Sequence, residues 1–175
     1  MARAAGVDPD AKAWFSRVGL PLSEADREAA ESYLRALDMS GLGIGQPTDA
    51  AQAERIVRDP QWDTRWWSRE DAERRRLTES ASKTHGLRVA LEALTLATEG
   101  HTEASLRQAM ASTAIVSGGE ALARAAAGSL LMALHARALA RLSGCEESHL
   151  FMRKYALFSL GRWPLGASHG ALHVF

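Results

Sequence analysis

The chain has 175 residues, 46% of them hydrophobic, with 21 basic and 21 acidic side chains and a formal net charge of zero. This length suits one domain with its own core, and the charge balance argues against a nucleic-acid binder working by bulk electrostatics. Cys145 is the one cysteine, which excludes an intramolecular disulfide; the N-terminus lacks an apolar signal-peptide core; and the longest nearly uncharged apolar run, 125–136, falls short of the roughly twenty residues of a membrane span.

About one residue in five is Ala, and β-branched residues are never clustered apart from Ile115-Val116, a composition that favours helix almost throughout. A first helix is expected over 9–18, with Asp8 as its N-cap and Pro9 in the first helical position, closed by Gly19. A second is expected from Glu24 to about Met39, capped by Ser23 with an acidic first turn at Asp26. The segment 40–48, with Gly41, Gly43 and Gly45, lacks the preceding strand and the Lys-Ser/Thr ending of a phosphate loop, and reads as a flexible connector. Thr48 should cap a short helix over 49–58, closed by Pro60.

The stretch 59–67 holds three of the five Trp residues, Trp62, Trp66 and Trp67. Ser68 followed by Asp71 marks a fresh helix start, running towards His85, where Gly86 either ends it or weakens one long helix reaching Thr98. Leu87, Leu91, Leu94 and Thr98 form its apolar stripe. Gly100 should break the chain, and Thr102 should cap a helix to about Val116. After 117–119 comes a helix over 120–142, apolar at nearly every angle and so expected to be central and buried. Its small patch 125–128 would let a neighbouring helix approach closely. A last helix is expected over 146–160, with Gly161 in the left-handed position that follows a helix. Pro164 then turns the chain into an extended tail, 162–175. Trp163, Leu165, Leu172, Val174 and Phe175 give this tail apolar surface that gains by docking.

Chemistry is sparse. Arg124 and His135, eleven apart, project from nearly one line of the central helix, about 16 Å apart along its axis. They either line one groove, or Arg124 pairs with a carboxylate such as Glu92 or Glu120. The six His residues form neither an HExxH nor an HxH pattern, and closed zinc sites want clustered ligands, so no metal is expected. Residues 166–170 place Ser168 third in a Gly-flanked run but lack the elbow that exposes a nucleophile. Arg74, Arg75 and Arg76 stand among acidic neighbours, as on a solvated helix face.

The expected protein is therefore all-α: one domain over 1–175, with 1–7 disordered, built as a bundle of six or seven helices around a buried central helix, with a docked tail. It is expected to be cytoplasmic, with no cofactor, no nucleic acid and no membrane contact. No catalytic constellation is visible, so the leading functional expectation is a non-catalytic interaction protein, an accessory, immunity-type or regulatory component that binds a partner protein. The alternative is a helical enzyme or small-molecule binder, with a pocket walled by Trp66, Trp67 and Trp163 and polarised by Arg124 and His135. The binding candidates are Trp66, Trp67, Arg124, His135, Arg162 and Trp163.

Overall fold

The computed structural model describes residues 9–59 and 61–175. Asp8, Pro60 and the segment 1–7 lie outside the described residues. The fold is 65% helical, with seven α-helices among the described residues and a small three-stranded sheet.

The first element is only a 3-10 turn, Pro9–Lys12, not a helix to Val18. Phe15 takes a positive φ of 61°, which a helix does not tolerate, and this drives its ring into the core. Helix α1, Glu24–Ala36, starts at a full capping box between Ser23 and Asp26. It ends before Met39 because Asp38 turns left-handed, with φ 56°; Arg69 then donates to the free carbonyls of Leu37 and Asp38.

The connector 40–48 is partly a strand. Strand β1, Gly43–Gly45, runs parallel to β3, Ala171–Val174, which pairs antiparallel with β2, Pro164–Ser168, in the order β1-β3-β2. The glycine explains the close approach, since a Cβ on Gly45 would stand 2.7 Å from the His173 ring. The tail is thus a hairpin, locked at its mouth by two backbone hydrogen bonds between Trp163 and Phe175, 2.8 and 2.9 Å long.

Helix α2, Ala50–Val57, is capped by Asp49 rather than Thr48. Helix α3, Thr64–His85, starts four residues earlier than Ser68, because the Asp63 carboxylate accepts from the N–H groups of Arg65 and Trp66. Gly86, with φ 79°, separates α3 from α4, Leu87–Ala111. The expected break at Gly100 does not occur. The buried stripe of α4, Ala90, Leu94, His101, Ser105 and Ala109, continues across it, and packing outweighs the roughly 1 kcal/mol that an interior glycine costs. Thr102 bonds back to the Thr98 carbonyl instead of capping. The short helix α5, Thr113–Val116, follows.

Helix α6, Glu120–Leu142, carries ten buried residues and contributes to both halves of the core. One half gathers Trp14, Phe15, Ile115, Phe158, Trp163 and Phe175; the other gathers Tyr33, Leu34, Leu77, Phe151, Leu172 and Val174. Helix α7, Leu150–Ser159, begins later than Glu146, where the His149 ring accepts from the Phe151 N–H. No helix of the described residues is long and apolar enough to cross a membrane.

Candidate functional site

The early start of α3 sets the position of the Trp cluster. Trp66 and Trp67 fall in its first turn. Trp62 lies just before it and bridges to Ser168 of β2, while the Asp63 N–H donates to the Ala167 carbonyl at 2.8 Å. The docked tail therefore fixes the entry to α3. The ring centroids of Trp62 and Trp66 are 5.8 Å apart, and those of Trp66 and Trp67 are 6.1 Å apart.

These rings wall a cleft of about 740 Å³, within the range of small-molecule sites. The opposite wall comes from α6: Ala125, Gly128, Ser129 and Met132. Val57 and Leu165 also line the cleft. The small patch 125–128 divides: Ala126 and Ala127 are packed into the core, whereas Gly128 leaves open space, since a Cβ there would meet nothing within 4 Å. Trp67 is 48% exposed at the rim, whereas Trp66 is buried.

A charged network lies under the apolar walls. The Trp66 Nε1–H donates to the Tyr33 hydroxyl at 2.7 Å, and that hydroxyl donates to Glu70 Oε1 at 2.5 Å. Lys154 Nζ reaches both Glu70 oxygens, at 2.7 and 2.8 Å, and stands 5.2 Å from the centre of the Trp66 ring. Burial, reinforced by the Glu70 charge, holds the Tyr33 phenol well above its usual pKa, so it remains a donor at neutral pH. The network pins Trp66 in one orientation. Glu70 and Lys154 both line the cleft as a compensated pair, together with the hydroxyl residues Thr64, Ser68 and Ser129.

A smaller hollow of about 320 Å³ adjoins the cleft at Met132 and is lined by Arg74, Leu131 and His135. Arg74 sits 6.0 Å from the centre of the Trp67 ring and 5.9 Å from that of Phe151. Burial, with a smaller push from the Arg74 charge, holds His135 below its ordinary pKa. A further depression of about 700 Å³, beside Trp14 and Gly19, has no ionisable group in its lining.

The sequence candidates separate accordingly. Trp66 and Trp67 wall the cleft and His135 lines the hollow beside it. Arg124 is exposed and pairs with Glu120 at 2.5 Å, and it lines neither space. Trp163 is buried in the core, away from the cleft lining. Arg162 is fully buried, and its guanidinium is used internally by the carbonyls of Arg17, Leu20 and Pro21 and by Asp26.

Tyr33, Glu70, Met132 and Lys154 are not among the sequence candidates, and Arg74, expected on a solvated helix face, is mostly withdrawn from water. One signal was present: Glu70, four residues after Trp66 and seven before Leu77, lies on the same helix stripe. Among the described residues, no group of three or more His, Cys, Asp or Glu converges to hold a metal ion. No protein-family model, curated protein or solved structure matches this chain.

Proposed function

We propose that the protein is a non-catalytic binding protein that holds the apolar ring system of a small molecule in the Trp62–Trp66–Trp67 cleft. The observation that carries this reading is the open space over Gly128 facing an aromatic wall whose middle ring is held by a buried hydrogen-bond chain. A rigid wall loses little entropy when a ligand arrives. Flat rings stack on Trp faces in offset or tilted geometry. The Glu70–Lys154 pair gives the base of the cleft a fixed dipole rather than a reactive group.

The test uses the neutral fluorophore N-phenyl-1-naphthylamine. Saturable one-to-one binding by the wild type is expected, with at least about tenfold weakening in Trp67→Ala, in line with the loss of one stacking contact and its buried area. Gly128→Leu fills the cleft while replacing an interior helix glycine with a better helix former; it should abolish binding and melt no lower than the wild type. Unchanged binding in both variants would remove the cleft as the site.

A second reading, as an interaction protein for a partner polypeptide, draws on a different observation. The N-terminal half of α4 exposes Leu87 and Leu91, one turn apart on the same face, an apolar pair suited to packing against a partner helix. Its test is a complex rebuilt from the purified chain and an identified partner. Leu91→Glu should break that complex while leaving cleft binding intact. A complex indifferent to this substitution would dismiss α4 as the contact.

A further inference from the structure

Within the cleft Glu70 and Lys154 cancel, but the charges beside it on α3 do not. On α3, Glu70 is occupied by Lys154 at 2.7 and 2.8 Å, and Asp71 is held by Arg75 at 2.5 Å. Glu73 is held by Arg76 at 2.6 Å. Glu70, Asp71 and Glu73 therefore face Lys154, Arg74, Arg75 and Arg76, and Arg74 is the surplus cation. Its own ion contacts are long, 3.8 Å to Glu70 and 3.5 Å to Asp71, against the roughly 2.7–2.9 Å of a well-made charged hydrogen bond. Arg74 is mostly withdrawn from water yet still open to the hollow, with a side-chain exposure of 23%.

Arg74 also stands where the two spaces meet. It lies against the Trp67 ring of the cleft and lines the hollow together with His135, and Met132 belongs to both linings. His135 is half-buried and faces this cation. A ring lying along Trp67 and Met132 would bring a substituent on its edge towards the guanidinium. Lys154 is the poorer anchor for an anion, because both oxygens of Glu70 already neutralise it.

We propose that the ligand of the cleft is a small amphiphilic organic anion. Its ring system lies between Trp67 and Met132, and its single carboxylate, sulfonate or phosphate is held by Arg74 and His135 in the adjoining hollow. This rests on the reading of the Trp cleft as a ligand site. An Arg with unfilled donors recognises such groups in a planar, two-point fashion. The neighbouring imidazole adds one N–H donor, and the partial withdrawal of Arg74 from water strengthens its contact.

The experiment compares a matched pair of probes, 8-anilinonaphthalene-1-sulfonate and its uncharged counterpart N-phenyl-1-naphthylamine, on the full chain. Arg74→Gln should weaken the sulfonate about tenfold or more, the scale of a lost charge-assisted hydrogen bond, and leave the uncharged probe within about twofold. Added NaCl should weaken the sulfonate on the wild type and not its counterpart; this measurement stands even where Arg74→Gln folds poorly. Trp67→Ala should weaken both probes. If the sulfonate is insensitive to salt and to Arg74→Gln while Trp67→Ala still weakens both probes, the anion site is overturned and the cleft survives. If neither probe binds, or Trp67→Ala changes nothing, the cleft reading fails and the anion site with it.

Discussion

The guanidinium of Arg162 and the carboxylate of Asp26, 136 positions apart in the chain, meet at 2.8 Å with both side chains fully excluded from solvent. Asp26 Oδ2 also accepts from the Ser23 N–H, the Ser23 hydroxyl and Arg17. The same carboxylate thus completes the N-terminal cap of α1 and anchors the root of the C-terminal hairpin. A buried ion pair of this kind is weak as a source of net stability, but breaking one side of it is costly. Arg162→Ala removes the buried cation beside Asp26, leaving it only the part-exposed Arg17 and the Ser23 donors, and frees three backbone carbonyls; it should lower the unfolding free energy by about 3–5 kcal/mol. Urea unfolding followed by Trp fluorescence measures the loss; a drop below about 1 kcal/mol, the scale of an exposed pair, would show that water replaces the guanidinium freely.

Acid should destabilise the fold in two stages. Burial alone would raise the Asp26 pKa, but hydrogen bonds from Arg162 and Ser23 more than offset it, and the net shift is downward. Glu73 is lowered chiefly by its hydrogen bond from Arg76. A carboxylate with a depressed folded pKa contributes stability above its unfolded value, and that contribution is lost as the pH falls through the folded one. His135 and His173 are both lowered, first by burial. For these the unfolded chain binds protons more readily, so stability also falls as the pH drops through their unfolded value. Melting temperature should therefore decline gently below about pH 6.5 and steeply below about pH 4. A melting temperature flat from pH 7 to pH 5 would contradict the histidine stage.

Much of this architecture was legible in the sequence, and the misses have common causes. The bounds of α6 and the capping box of α1 were visible because each is set by local chemistry: an all-round apolar helix in one case, Ser23 with Asp26 in the other. The Gly100 break failed because burial along α4 acts at a distance that a local propensity does not see. Strand β1 was hidden for the same reason, since Gly43–Gly45 is extended only because β3 lies beside it. For the cleft, the Trp residues drew attention but their partners did not. Tyr33, Glu70 and Lys154 come from three helices, and only the folded chain brings them under Trp66. Arg162, beside a tail Trp, has the sequence setting of a recognition residue, whereas in the fold its two terminal nitrogens donate to the carbonyls of Arg17, Leu20 and Pro21 and to Asp26.

Gly166 couples the hairpin to the cleft. It sits at φ 133°, at an irregularity in the β2–β3 pairing, and a Cβ there would lie 2.3 Å from the Trp62 ring and 3.0 Å from that of Trp66. Gly166→Ala combines a backbone conformation that side chains resist with a steric conflict against rigid rings. It should cost about 2–4 kcal/mol, the sum of strain and overpacking, and should weaken N-phenyl-1-naphthylamine by displacing Trp62. A Gly166→Ala protein with wild-type melting and wild-type near-ultraviolet circular dichroism would mean that the rings shift without resistance.

Removing the hairpin should unfold the molecule rather than trim it. Trp163, Leu165, Leu172, Val174 and Phe175 are all buried, the last three completely, and they belong to both halves of the core. Full burial of each is worth roughly 1.5–3 kcal/mol, so the group is comparable with the whole stability of a typical domain, about 5–15 kcal/mol. Truncation after Gly161 also deletes Arg162, leaves β1 without its neighbour and frees the entry to α3 that Ala167 and Ser168 hold. The two backbone bonds between Trp163 and Phe175 make even the last residue structural, so deleting Phe175 alone should cost about 3–5 kcal/mol, as for a large buried aromatic. Thermal unfolding of the 1–161 chain, followed by far-ultraviolet circular dichroism, should show no cooperative transition, with rapid proteolysis at 25 °C. A cooperative melt within a few degrees of the full-length protein would show that the helices close their core without the tail, and would make the hairpin a separate docking element.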